Sequence, residues 1–248
     1  MNQGDIRVGI GGWSFEPWRG VFYPEGLRQK DELSYATAQM TAIEINATYY
    51  RSQSPKSFAG WAAAAPEGFQ YAVKASRYAT NRSKLAEAGG SIKKVLTQGL
   101  TELGDKLGPI LWQLAPTKKF DADDMAEFLA LLPDAQGGVK LRHAIEARHE
   151  SFDNPAFIEM ARAKGVAIVC ADHPEFPMIE ADTADFVYAR IMRAEEDKSD
   201  GYSAKALDAW ADKAHDWAKE GRDVYLFFIS GAKVRNPAAA RAVIERLA

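Results

Sequence analysis

Residues Ile6–Ile10, Ile-Arg-Val-Gly-Ile, form a short apolar run followed by the glycine pair Gly11-Gly12. A run of this length bounded by turn signals reads as a buried strand. The unit recurs at Ala42–Ile45, Phe69–Val73, Ile110–Leu114, His143–Ala147, Val166–Cys170, Phe186–Ala189 and Val224–Phe228, and most copies stop at a polar or charged residue. Helix-like stretches separate most neighbours. Strands alternating with helices predict an α/β protein with a parallel sheet, and eight repeats suffice to close a (β/α)8 barrel of the TIM type. The 248 residues suit one such barrel and predict a single domain over 1–248. A closed barrel gathers its chemistry at the C-terminal ends of its strands.

The intervening helices carry their own signals. Asp31 is an N-cap candidate for a helix bearing Leu33, Tyr35, Ala36 and Met40, and Ser54-Pro55 opens a second with Phe58 and Trp61 facing inward. Ile92, Val95, Leu96, Leu100, Leu103 and Leu107 recur at helical spacing and predict one helix over 91–107, broken by Gly108-Pro109 before the fourth strand. Helices follow over 121–132, 155–164 (closed by Gly165), 203–219 and 237–247, with a turn at 133–138. Pro174 and Pro177 argue against an ordinary helix over 173–183, so the barrel is expected to be irregular around its sixth helix.

Composition narrows the function classes. The net charge of −3 argues against broad non-specific binding to nucleic acid or to an anionic membrane, which needs a basic surface. Cys170 stands alone inside the sixth run, which excludes a disulfide framework and suits a core thiol in a reducing compartment. The opening Met-Asn-Gln-Gly-Asp has no apolar stretch to act as a signal peptide, and no run approaches the ~18 residues that span a bilayer. A cytoplasmic protein is the expectation.

Side chains two apart on a strand share a face. Glu44 and Asn46 therefore point together on the second strand, and Glu146 and Arg148 on the fifth. Lys74 ends the third strand, Gln113 the fourth and Arg190 the seventh, and Asp172 follows the sixth. A closed ring would bring these groups to one mouth. They suit a site for an anionic or sugar-like small molecule, with Lys74, Arg148 and Arg190 holding negative charge and Glu146 and Glu44 as base and acid. The competing reading is an ion-pair network that only fixes the mouth.

Trp13 and Tyr49 lie nearest to strand ends and are candidates for ligand contact, while Trp18, Phe22 and Tyr23 suit a packing lid. Arg77, Arg82 and Lys84 extend a basic stretch beyond Lys74 that could meet a nucleic-acid backbone or simply be solvated. Ser230-Gly231-Ala232-Lys233 precedes the last helix, where barrels often hold phosphate, though so short a pattern is weak by itself. His143, His149, His173 and His215 are scattered without a metal-binding spacing, and no GxGxxG, P-loop or GxSxG pattern occurs, so neither metal nor organic cofactor is expected.

The blocks GGWSFEPWRGVFYP (11–24), EINATYY (44–50), the strand Phe69–Lys74, LWQLAP (111–116), EARHESF (146–152) and DFVYAR (185–190) occur in this order across nearly the whole chain. Together they resemble the family called domain of unknown function 72, also known as YecE-like. The resemblance implies a β/α barrel with no established activity. It also implies recurrent roles for Trp13, Glu44, Asn46, Tyr49, Lys74, Gln113, Glu146, Arg148 and Arg190. Three places depart from the family pattern. Asn81 and Met192 stand where it tends to have histidine, and Ile229-Ser230 where it often has an asparagine pair. The leading expectation is a cofactor-independent hydrolase, lyase or isomerase acting on an anionic or sugar-like substrate. A nucleic-acid-binding or nuclease-like protein and a non-catalytic metabolite binder stay open.

Overall fold

The computed structural model describes residues 3–248. Met1 and Asn2, part of the segment read above for targeting signals, lie outside the described residues. Eight parallel strands follow in chain order: β1 (Ile6–Gly11), β2 (Ala42–Ile45), β3 (Gln70–Lys74), β4 (Leu107–Gln113), β5 (His143–Glu146), β6, β7 (Phe186–Ile191) and β8 (Asp223–Phe228). Strand β6 comes in two pieces, Ala167–Ile168 and Cys170–Asp172. The first pairs with β5 and the second with β7, while β8 pairs with both β7 and β1. Only Val169 separates the two pieces, and its N–H donates to Ile145 O at 2.9 Å. The ring is thus closed through one interrupted strand, as the eight-run pattern requires.

The interruption has a side-chain cause. Ile168 N–H is taken by the buried Thr183 hydroxyl at 3.2 Å. Thr183 belongs to the 173–185 segment, which crosses from β6 to β7 without a helix, as the two prolines predicted. The main outer helices are α1 (Glu32–Gln39), α2 (Pro55–Ala64), α3 (Gly89–Thr97), α4 (Ala122–Ala130), α5 (Pro155–Lys164), α6 (Ala204–Lys219) and α7 (Asn236–Leu247). Ser54, Asp121, Asn154 and Ser203 cap α2, α4, α5 and α6 by accepting from backbone N–H groups of the first turn.

Four local expectations are corrected. The helix expected over 91–107 ends at Thr97, because Gly99 turns into the left-handed region (φ 111°) and a Cβ there would lie 2.6 Å from Pro55 Cα. A 3-10 stretch, Leu100–Lys106, continues from it. Strand β4 begins at Leu107 and includes Gly108-Pro109. The ladder shifts register between Tyr71 and Val73 there, as expected where Pro109 has no N–H to donate. The turn at 133–138 is a small hairpin, Ala135–Gln136 against Val139–Lys140, closed by Gly137 and Gly138 with positive φ. Asp31 precedes α1 but its carboxylate accepts from Arg28 Nε at 2.7 Å instead of capping.

The lumen is filled unevenly. Ala42, Ala72, Ala144 and Ala167 line one side, and Phe186, Tyr188, Tyr225 and Phe227 come from β7 and β8. Small residues on four strands leave the volume that the aromatic strands occupy, as close packing demands. Above this layer the lumen residues become charged.

Candidate functional site

Moving two residues along each strand from the apolar layer reaches the mouth: Glu44 above Ala42, Lys74 above Ala72, Gln113 above Leu111, Glu146 above Ala144 and Arg190 above Tyr188. Arg190 is the hub. Its Nε and Nη2 donate to the two oxygens of Glu44 at 3.0 and 3.2 Å, and Nη1 donates to Glu146 Oε2 at 2.6 Å. Tyr188 hydroxyl donates to Glu44 at 2.7 Å. Arg148 Nε donates to Glu146 Oε1 at 2.9 Å and its Nη2 to Gln113 Oε1 at 2.8 Å. Glu44, Glu146 and Arg190 are at most 2% exposed, so these charges are tolerable only because they satisfy one another.

The electrostatics follow from that mutual satisfaction. Burial alone would raise the Glu146 pKa, but Arg190, Arg148 and Lys74 outweigh it and hold Glu146 below the usual carboxylate range. Burial alone would lower the Arg190 pKa, but Glu146 and Glu44 outweigh it and raise the pKa above its ordinary value. Burial and the Glu44 charge push Tyr188 well up, so it stays a hydrogen-bond donor.

Lys74 is different. It is 8% exposed, yet among the described residues its ammonium makes no protein hydrogen bond and has no carboxylate within 4 Å. The oxygens that could receive it are taken by the two arginines and Tyr188. Its nearest aromatic contact is the Tyr49 ring, 4.4 Å from Nζ to centroid. Burial first, and the Arg190 charge second, lower its pKa from 10.5 to about 8.

Above this network opens a cleft of 790 Å³. Lys74, Gln113, Arg148 and Arg190 line it, with Asn46, Trp13, Trp61, Tyr49, Tyr50 and Arg51 around its wall. Lys233, Ser230 and Asn236 complete the β8 side. Lys233 Nζ lies 4.2 Å from the Phe15 ring centre and 5.6 Å from that of Trp18, and burial lowers its pKa. Ser230, at φ 63°, is the one non-glycine residue in the left-handed region among those described. Asn236 donates to Ser230 O at 3.2 Å, leaving its buried Oδ1 without a protein donor among the described residues.

The candidate residues therefore separate into layers. Trp13, Asn46, Tyr49, Lys74, Gln113, Arg148 and Arg190 line the cleft. Glu44 and Glu146 lie beneath it, wholly buried, and neither lines it. Asp172 does not line it either: its carboxylate pairs with Arg193 Nε at 2.6 Å. Trp18 and Tyr23 are buried packing residues, and Phe22 nearly so. His143 sits deep in the fold, accepting from Trp112 Nε1 at Nδ1 and facing Pro133 O through Nε2, a structural pairing that leaves it neutral. Cys170 is buried, which pushes its thiol up to about 12. Among the described residues no three His, Cys, Asp or Glu side chains converge as metal ligands, and no helix is long and apolar enough to cross a membrane.

The family model described as "Protein of unknown function DUF72" matches residues 7–248. The chain belongs to the DUF72 family. This DUF72 protein is 22% identical over 255 residues to the UPF0759 protein YunF of Bacillus subtilis (strain 168), covering 90% of the chain and 88% of the relative. Its fold matches the crystal structure of a DUF72 family protein from Thermotoga maritima MSB8 with a TM-score of 0.77, 24% identity and 98% coverage of both chains. A DUF72 family protein from Enterococcus faecalis V583 matches with a TM-score of 0.74 and 18% identity, over 98% of this chain and 95% of that one. Each departure noted in the sequence touches a cleft residue or lines the cleft. Asn81 Nδ2 donates to Tyr49 hydroxyl at 3.3 Å, Met192 Sδ is 4.0 Å from Arg190 Nη1, and Ser230 lines the cleft.

Residue-by-residue reading missed Arg51 and Asn236 as cleft residues, while Tyr50, which it offered with Tyr49 as a possible stacking wall, does line the cleft. It also placed Trp61 only as an inward helix residue, whereas the Trp61 ring stacks edge-on against Trp13 at 5.4 Å and reaches the wall. The one available signal was Arg51, which follows the Tyr49-Tyr50 pair directly.

Proposed function

We propose that the barrel mouth binds and turns over a small anionic substrate, with Lys74 as the reactive group on the cleft floor. Three cations, Lys74, Arg148 and Arg190, face two carboxylates, Glu44 and Glu146, so the inner cluster carries one surplus positive charge while Lys74 is protonated. Lys233 and Arg51 add charge at the wall, and Trp13, Trp61 and Tyr49 supply apolar faces for a carbon skeleton. The orphan acceptor on Asn236 suits a ligand that brings a hydroxyl or N–H group. The acid–base role expected of Glu146 and Glu44 passes to Lys74. Both carboxylates are sealed beneath the arginines, where they hold Arg148 and Arg190 in place. The observation that carries this reading is the Lys74 amine, which alone among the charged groups of this network has no ion-pair partner among the described residues.

A thermal-shift screen of organic acids, phosphorylated sugars and nucleotides tests it. A ligand at 100 times its Kd stabilises the folded state by about 2.7 kcal/mol, which for a chain of this size shifts Tm by roughly 5–10 °C. The expected result is a shift from one anionic class that is smaller in Lys74→Met, where the surplus positive charge is gone. Shifts unchanged in that variant, or none from any anion, would refute the reading.

A second reading, binding of an extended polyanion such as single-stranded nucleic acid, draws on an adjoining cleft of 670 Å³ lined by Arg51, Arg82 and Lys94. It shares Arg51 with the main cleft, and Tyr50 and Tyr78 stand exposed beside it. Oligonucleotide affinity that falls steeply with salt would support it, and no binding at low salt would remove it.

A further inference from the structure

We infer that Lys74 is a nucleophile that forms an imine with the carbonyl carbon of a small substrate bearing a carboxylate or phosphate. The inference rests on the reading above and specifies its chemistry.

A lysine that only grips an anion works best fully protonated, exposed to its ligand and away from other cations. Lys74 is built the other way. It is nearly buried, Arg190 stands close enough to oppose its charge, and among the described residues no carboxylate lies within 4 Å, so Glu44 and Glu146 support its proton only from a distance. Desolvation beside other cations is the arrangement that frees a lysine lone pair near neutral pH. The anion-holding work is meanwhile available elsewhere. Arg148 uses Nε and Nη2 on Glu146 and Gln113, and its Nη1 makes no protein hydrogen bond among the described residues. Lys233 lines the β8 side of the cleft and has no carboxylate partner among the described residues. A carboxylate or phosphate held by these groups leaves its neighbouring carbonyl to the amine on the floor.

The step balances without a cofactor. The neutral amine attacks the carbonyl carbon, forming the N–C bond as the π pair moves to oxygen. A proton passes from nitrogen to that oxygen, giving a carbinolamine. A second proton, from solvent in the cleft, lets the oxygen leave as water while the nitrogen pair closes the C=N bond. The resulting iminium carries one positive charge, as the lysine ammonium does, so the buried carboxylates beneath stay neutralised.

Reductive trapping tests this. The folded protein is incubated at neutral pH with sodium cyanoborohydride and, separately, pyruvate, glyoxylate or dihydroxyacetone phosphate, and labelled lysines are located by peptide mass spectrometry. The two oxo acids and the phosphorylated ketone distinguish a carboxylate from a phosphate as the anchoring group. The expected result is labelling of Lys74 by at least one carbonyl roughly tenfold faster than the exposed Lys119, suppressed by a non-carbonyl anion that raises the Tm. Lys74→Arg should lose the label at that position while Lys119 labelling is unchanged. Labelling of Lys74 by all three carbonyls no faster than that of Lys119 overturns the imine. If anions still raise the wild-type Tm through Lys74, the binding reading survives; if they do not, both fall.

Discussion

Replacing Glu44 by glutamine changes one atom's chemistry at the most constrained point of the mouth. Glu44 accepts from Tyr188 hydroxyl and from two nitrogens of Arg190, at 2.7, 3.0 and 3.2 Å. A glutamine oxygen can keep two of these donors. Its NH2 group then faces an Arg190 N–H across about the same 3.2 Å, donor against donor. Breaking a buried ion pair costs about 3–5 kcal/mol, and the lower end applies because Arg190 keeps Glu146. For a domain of this size that corresponds to a Tm loss of roughly 6–12 °C.

The deficit should also depend on pH in a defined direction. Glu44 is one of the charges that support the Lys74 proton, so Lys74 deprotonates at lower pH in the variant. Between that lower value and about 8 the variant has shed a proton that the wild type still holds, while both unfolded chains keep theirs. Variant stability rises with pH through this window and the gap narrows. Urea unfolding at pH 6 and pH 8.5, read as midpoints at constant slope, measures both effects. A loss below about 1 kcal/mol at pH 6, or a gap that widens with pH, would refute the network described here.

Lys74→Met should leave the fold intact. Because the folded Lys74 pKa is depressed to about 8, wild-type stability should rise between about pH 8 and 10.5 by up to about 3 kcal/mol relative to the variant, as seen in paired urea titrations. Gly9→Ala should strongly reduce Tm or soluble yield, since a Cβ there would lie 1.8 Å from Ala42 O on the neighbouring strand. Ser230→Val should cost about 1–2 kcal/mol because a β-branched residue resists φ 63°, whereas Ser230→Gly should be within about 1 kcal/mol of wild type.

Much of the architecture was legible because strand signals and site signals are the same residues. Glu44 two positions after Ala42, Glu146 after Ala144 and Arg190 after Tyr188 each pair a lumen residue with a mouth residue, so period two places both. What period two cannot show is whom each charge chooses. Whether Glu146 faces a ligand or an arginine depends on strand stagger and on long side-chain conformations, and the structure gives both of its oxygens to arginines. Asp172 escaped for a similar reason: its partner, Arg193, lies on the loop after the next strand, beyond any local pattern. The break at Gly99 was masked by leucines that keep helical spacing through it, since the close approach of Pro55 is a tertiary constraint.

The two-piece β6 gives the hoop a seam. Its halves hold only two and three ladder pairs, against five and six where β8 meets its neighbours, and no helix crosses from the second half to β7. Amide protons from Val166 to Asp172 should therefore trade with deuterium sooner than those of β8, and a barrel pulled open by heat or load would part there first. Because Arg190 lies one strand away, tethered across the lumen to Glu44 and Glu146, the charged knot acts as a cross-brace for its weakest joint. Loosening the knot and springing the seam would then be one event.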